Sequence, residues 1–206
     1  MTNTKENILR TALHLFARDG YEAVSVSAIA GALGMTKGAL YKHYRSKRDI
    51  FDSIVARMYE IDAQRSRQYA VPEDTYDAAP DAYDAVSWDA LRNFTLAQFT
   101  FWTQDDFACS FRRMLTLEQY RSAEMSQLYL GCLSDGPVAY TADIFRRMMA
   151  AGTLRPGDPR QLALSCYAPM LLLITVADHT GDTARPLAQL EGHLALFRQQ
   201  FVIDAP

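Results

Sequence analysis

Apolar positions recur at helical spacing along nearly the whole chain. Ile8, Leu9, Ala12, Leu13, Phe16 and Ala17 form one apolar face, with Thr4 as a candidate N-cap and Gly20 as a stop. Ile29, Ala30 and Leu33 repeat over a shorter stretch, residues 25–33. Gly34 follows, and a glycine there supplies the positive φ that ends a helix and turns the chain. Thr36 can cap a second short helix, with Ala39, Leu40, Tyr41 and Tyr44 on or near its buried side. Ser46 with Asp49 resembles a capping box and opens a longer helix carrying Ile50, Phe51, Ile54, Val55, Met58 and Ile61. Its start adjoins the second short helix, which makes it a connector between the two halves of the chain.

Residues 71–86 are acidic, hold two prolines and read as a mobile loop. Helices are then predicted over 88–103, 105–117, 121–133 and 138–151. A strongly apolar one follows over 159–177, with a kink at Pro169, and a last one over 185–202. The first of these is aromatic on all sides and should be buried. In the last, Leu187, Leu190, Leu194, Phe197 and Phe201 stand 3, 4, 3 and 4 residues apart, which is a seam for another helix. No stretch alternates as a strand does. The fold class is all-α, with nine or ten helices.

Composition sharpens this picture at one point. The net charge of −3 argues against a nucleic-acid binder, but its distribution does not. Residues 1–50 carry eight Lys and Arg against four Asp and Glu, and residues 51–206 carry thirteen against twenty. A basic head on an acidic body fits a polyanion bound at one end. Cys109, Cys132 and Cys166 are odd in number and well separated, so a disulfide framework is not expected and a reducing cytoplasm fits. No apolar signal segment opens the chain, and the longest apolar run, 168–177, is about half of what spans a bilayer.

Two short helices joined by a glycine turn make a helix-turn-helix, whose second helix lies in the DNA major groove. Lys37, Lys42 and His43 crowd that helix, with Arg45, Lys47 and Arg48 after it, a density of cations that suits phosphate oxygens. Lys37 stands early in the helix, where side chains reach base edges, and Gly38 allows close backbone approach. Ser25 and Ser27 open the first short helix and can cap it or bond a phosphate. The run A-I-A-x-x-L-G-M-T-K-G-A-L-Y-K-H-Y-x-S-K-x-x-I, with the preceding I-L-x-x-A-L-x-L-F-A-x-x-G-Y, resembles the DNA-binding signature of the tetracycline-repressor (TetR) family of bacterial transcriptional regulators. The resemblance runs from about Ile8 to Phe51. It implies phosphate contacts from Tyr41 and Lys47, and adds Thr36 to the surface that meets DNA.

The resemblance also implies a homodimer with a helix-turn-helix domain over 1–50 and a ligand-binding and dimerisation domain over 51–206. It implies a small-molecule pocket in the aromatic and Met-rich middle of the chain. The candidate lining residues are Phe94, Gln98, Phe101, Trp102, Phe111, Met114, Tyr129, Phe145, Met148, Tyr167 and Met170. Such a wall favours a largely apolar or aromatic molecule with one or two hydrogen-bonding groups. Arg112, Arg113, Arg146 and Arg147 flank it and read as exposed. Leu162, Cys166, Leu173, Leu187, Leu190, Leu194, Phe197 and Phe201 are the candidate dimer contacts, two helices from each chain forming a four-helix interface.

No catalytic motif, phosphate loop or cofactor motif occurs. Asp178, His179, Asp182 and His193 match no metal-ligand spacing and read as an exposed polar turn. The expected function is a cytoplasmic, non-enzymatic regulator of transcription released from a palindromic operator by a hydrophobic ligand. Control by a protein partner is the alternative, and a helical enzyme that merely contains a helix-turn-helix is the remote one.

Overall fold

Ten α-helices and one short 3-10 helix follow one another in the computed structural model, which describes residues 4–203. They are α1 (Thr4–Asp19), α2 (Val26–Ala32), α3 (Lys37–Leu40), α4 (Lys47–Gln68), α5 (Trp88–Gln104), α6 (Asp106–Glu118), α7 (Ala123–Leu133), α8 (Asp135–Ala150), α9 (Pro159–Thr180) and α10 (Ala184–Phe201). The 3-10 turn is Pro80–Tyr83. Among the described residues the only β pairing is an isolated bridge, Leu154 with Val202. The all-α reading stands, with boundaries within a few residues of those the periodicity predicts.

The helices sort into two units. One takes the chain up to Ile61 together with Asp105–Tyr129, and the other takes Asp62–Gln104 and the chain from Leu130 onward. The first unit thus reaches past residue 50 and takes in α6 and most of α7 from mid-chain. The cause is apolar area: α1 buries Ile8, Leu9, Ala12, Leu13 and Phe16, and α6, which packs on it, buries Phe107, Phe111, Met114 and Leu115. Each such side chain contributes roughly 1.5–3 kcal/mol when removed from water. The short α2 and α3 could not supply that cover themselves.

In the second unit α5, α8, α9 and α10 pack on one another. Phe197 of α10 stacks on Trp88 at 5.3 Å and on Phe145 at 5.4 Å. Leu190, Leu194 and Phe197 are at most 3% exposed within their own chain, and Cys166 is buried too. The middle of the seam, Leu190 to Phe197, is thus covered within its own chain, whereas Leu187 and Phe201 at its ends are half-buried. Burial pushes the Cys166 thiol up to about 12, so it is an inert core group.

Residues 71–86 are also not the loose loop their acidity predicts. Tyr83 is 1% exposed, donates its hydroxyl to the Asp74 carbonyl at 2.9 Å, and meets Tyr76 and Tyr140 edge to face. Arg67 pairs with Glu73, Arg147 pairs with Asp84, and Tyr140 donates to the Pro72 carbonyl at 3.0 Å. Three tyrosines and two ion pairs tie the segment down.

Candidate nucleic-acid interface and ligand site

The α2–α3 turn is built from local signals. Ser25 caps α2, its Oγ accepting from the Ala28 N–H at 3.1 Å, and Thr36 caps α3 in the same way from Ala39 at 3.1 Å. Gly34 has φ +63°. The Gly34 N–H reaches the Gly31 carbonyl at 3.1 Å and the Met35 N–H reaches Ala30 at 3.0 Å. That pair of bonds is a Schellman stop, available because glycine enters the left-handed region without a Cβ clash. Leu40 and Tyr44 anchor the recognition segment. Both are buried, and the Tyr44 hydroxyl donates to the Lys5 carbonyl at 3.2 Å.

The opposite side of that segment faces water. Ser27, Thr36, Lys37, Gly38, Tyr41, Lys42 and His43 are all exposed, as are Arg45 and Ser46 after them. Tyr41 is 44% exposed, unusual for an aromatic ring, and the Lys37 ammonium sits 5.7 Å from its centroid. A Cβ on Gly38 would meet only the Thr36 Oγ1, at 4.0 Å, so the fold itself does not require glycine there. These residues make one outward surface of donors and cations with no carboxylate among them.

Lys47 differs from the rest of its group. Its ammonium donates to the Tyr21 carbonyl at 2.8 Å and the Glu22 carbonyl at 3.3 Å, and lies 4.3 Å from the Tyr21 ring centroid. It holds the α1–α2 turn from below. Arg48 is likewise engaged, bonding Asp52 at 2.7 Å and both carboxylate oxygens of Glu124. The pairing holds the Glu124 carboxyl below the usual carboxylate range.

Glu118 carries no local sequence signal, yet it completes this turn. It is 2% exposed, and its carboxylate accepts the Tyr21 N–H at 2.9 Å. Gly20, at φ +87°, leaves room for it: a Cβ there would lie 2.9 Å from the Glu118 Oε1. Gly20→Ala is expected to lose about 2 kcal/mol, from the left-handed backbone and the displaced carboxylate together. Thermal melting checks this, and an unchanged midpoint would remove Glu118 from the support of the turn.

The expected pocket residues divide between the units. Phe111 and Met114 are wholly buried on α6 in the first, where Tyr129 of α7 is half-buried. Phe94, Gln98, Phe101 and Trp102 of α5, Phe145 and Met148 of α8, and Tyr167 and Met170 of α9 belong to the second. Tyr167 is half-buried and gives its hydroxyl to the Leu133 carbonyl at 2.8 Å. Arg112, expected to be exposed, is 6% exposed. A cavity of about 450 Å³ opens in the second unit between residues 83–89 and the C-terminal ends of α8 and α10. Of the expected residues it takes Met148 alone, and Trp88, Arg147 and Arg198 also line it.

Outward apolar residues gather on α9 and α10. Leu164, Leu172 and Leu196 are 47%, 65% and 59% exposed. Ala168 and Thr175 extend the α9 stripe, and Ala188, Gly192 and Ala195 extend that of α10. By length and composition α9 could also cross a bilayer, which the shorter run read from sequence did not anticipate.

Residues 8–54 match the family described as bacterial regulatory proteins, tetR family. The chain is 34% identical over 80 residues to an HTH-type transcriptional regulator of Bacillus subtilis, YerO, covering 39% of this chain and 27% of that one. It is 28% identical over 172 residues to an HTH-type transcriptional repressor of Mycobacterium tuberculosis, Rv1474c, covering 82% and 78%. The chain thus spans about a quarter of the length of the curated relatives it matches first. In fold it is similar to SmeT, the repressor of the Stenotrophomonas maltophilia multidrug efflux pump SmeDEF, in its triclosan complex. The TM-score is 0.69 at 21% identity, over 98% of this chain and 93% of that one.

Proposed function

We propose that this chain, a member of the tetR family of bacterial regulatory proteins, is a dimeric repressor of transcription that a small, largely apolar molecule releases from its operator. The observation that carries the reading is the outward surface of α3 and its flanks. Lys37 and Lys42 present cations, and His43 and Tyr41 an imidazole and a hydroxyl, around Gly38, on a helix-turn-helix whose other side is locked into a core. Phosphate contacts from such a surface position the protein, and base edges are read from the start of α3.

DNA binding belongs to the segment 1–50 in function, although its packing unit is larger. Dimerisation belongs to α9 and α10, through the outward stripes around Leu164, Leu172 and Leu196 rather than the buried seam. Pairing these stripes would cover two helices from each protomer with two-fold symmetry, and would give the apolar outer face of α9 a protein partner. Release requires a ligand that prefers a dimer whose recognition helices do not match the operator spacing.

Footprinting on the chain's own promoter region tests the reading. A near-palindrome with half-sites about one helical turn apart, or a multiple of it, is the expected result. Lys37→Ala is expected to lower affinity and reduce the salt slope by roughly 1 without changing the melting midpoint. Lys47→Ala is expected to lower both affinity and midpoint, because its ammonium holds the Tyr21 turn. Gly38→Ala is expected to leave stability unchanged and weaken binding, since only an approaching backbone or phosphate would meet the new methyl. Salt-independent binding would remove the electrostatic basis of the proposal. Release by a protein and by no small molecule would favour the partner-controlled alternative.

A further inference from the structure

The cleft in the second unit is rich in donors, and the acceptors at its helix ends are already taken. Its volume of about 450 Å³ has room for a small organic molecule. Trp88 and Met148 form part of its wall, with the exposed apolar side chain of Ile203 beside them. Trp88 is 5% exposed, stacks on Phe197, and holds its indole N–H buried without an acceptor. Ser87, Trp88 and Asp89 also line the cleft, so the positive end of α5 lies on it. The C-terminal ends of α8 and α10 lie on it too, but their carbonyls already accept. Ala151 and Thr153 donate to the Arg147 and Met148 carbonyls at 2.9 Å each, and Val202 donates to that of Arg198 at 2.9 Å. The Phe201 carbonyl takes the Arg155 N–H at 2.8 Å.

Two ion pairs lie along the cleft. Arg147 in the last turn of α8 meets Asp84, and Arg198 in the last turn of α10 meets Asp89 at 3.1 Å. All four residues line the cleft. In each pair the arginine is the deeper member. The arginine side chains are 34% and 44% exposed, against 49% and 70% for their aspartates. Arg147 has a second hold on Tyr76, donating to its hydroxyl at 3.5 Å with the guanidinium 6.0 Å from the ring centroid. It therefore keeps its place when Asp84 swings away. Exposed pairs of this kind contribute little, so an incoming carboxylate can replace Asp84 while Asp84 turns to water. The planar guanidinium fork suits a carboxylate. An ammonium meets the opposite case. It would have to draw an aspartate from its pair and leave the deeper arginine without it.

We propose that this cleft binds a small organic carboxylic acid, its carboxylate paired with Arg147 in exchange for Asp84 and its apolar body against Trp88, Met148 and Ile203. This deepens the ligand-release reading and rests on it for the biological role, but the binding chemistry is testable alone.

Three probes of one shape separate the possibilities: phenylbutyrate, phenylbutanol and phenylbutylamine, titrated calorimetrically into the full chain. The acid is expected to bind about tenfold more tightly than the other two. Asp84→Asn removes the competing carboxylate, so it should tighten the acid about two- to fivefold and leave the alcohol within about twofold. Arg147→Gln should erase the preference for the acid, and Arg147→Lys should restore part of it. Circular dichroism checks the fold of each variant. Should Arg147→Gln unfold, Asp84→Asn still decides, because a pair that only holds the structure together gains no affinity on losing a member. Tightest binding by the amine, acid affinity unchanged or weakened in Asp84→Asn, or no measurable binding of the acid would each overturn the proposal. An operator gel shift with the same probes distinguishes the two readings. Selective acid binding through Arg147 without DNA release would sink the release reading and leave this site standing. Release by other compounds with no acid preference would do the reverse.

Discussion

Leu172→Glu is expected to yield a folded protomer that no longer dimerises and no longer holds a two-half-site operator. Leu172 is 65% exposed on the outer stripe of α9, so a carboxylate there meets water in the monomer and leaves the core untouched. In a dimer the same carboxylate would be buried without a cationic partner. That penalty is about 3 kcal/mol or more, which weakens association at least about a hundredfold. Operator affinity should fall further than any single phosphate contact could explain, because one half-site then binds without the other. The control is Leu194→Glu, where the leucine is 1% exposed inside its own chain. A carboxylate in that core is expected to unfold the protein or drive it out of solution. Sedimentation and melting of the two variants separate the faces. If Leu172→Glu sediments as a dimer, the interface lies elsewhere.

That pair of variants also marks how far the sequence could be read. The 3-4-3-4 spacing of Leu187 to Phe201 says that one face of a helix is covered. It cannot say which chain covers it, and in the structure Trp88 and Phe145 do. The outer stripe was harder to see, since alanine, glycine and threonine alternate with its leucines and carry little apolar contrast. The helix-turn-helix was legible nearly to the atom because its signals are local. Thr36, Gly34 and Ser46 act on groups within a few residues, and each does what its position predicts. Glu118 was not legible, since the turn it supports lies 97 positions away. Asp62 and Arg65 look like ordinary charges of a solvated helix until Gln98 joins them. Residues 71–86 misled because acidity and proline predict disorder, whereas Tyr76, Tyr83 and Tyr140 supply the missing apolar area.

Gly136→Ala is expected to destabilise the chain by about 3 kcal/mol or more, against a change of less than about 1 kcal/mol for Gly131→Ala. Between α7 and α8 the chain bends at Ser134, with φ −131° and ψ −92°. The bend brings the second glycine onto the first: a Cβ on Gly136 would lie 2.0 Å from the Gly131 carbonyl oxygen and 2.8 Å from its carbon. Both atoms are backbone, so no rotamer change can relieve the overlap. Pro137 follows directly, and its ring fixes its own φ, which limits how the chain can adjust. A Cβ on Gly131 meets nothing within 4 Å, and alanine suits that helical position better than glycine. Relief in Gly136→Ala would have to come from opening the bend. The Leu133 carbonyl, which accepts the Tyr167 hydroxyl at 2.8 Å, would move with it, and α9 would lose that tie. For a chain of this size the penalty corresponds to a melting midpoint about 6–12 °C lower. Melting of both variants beside the parent protein decides it, and equal midpoints for the two would show that the bend yields without strain.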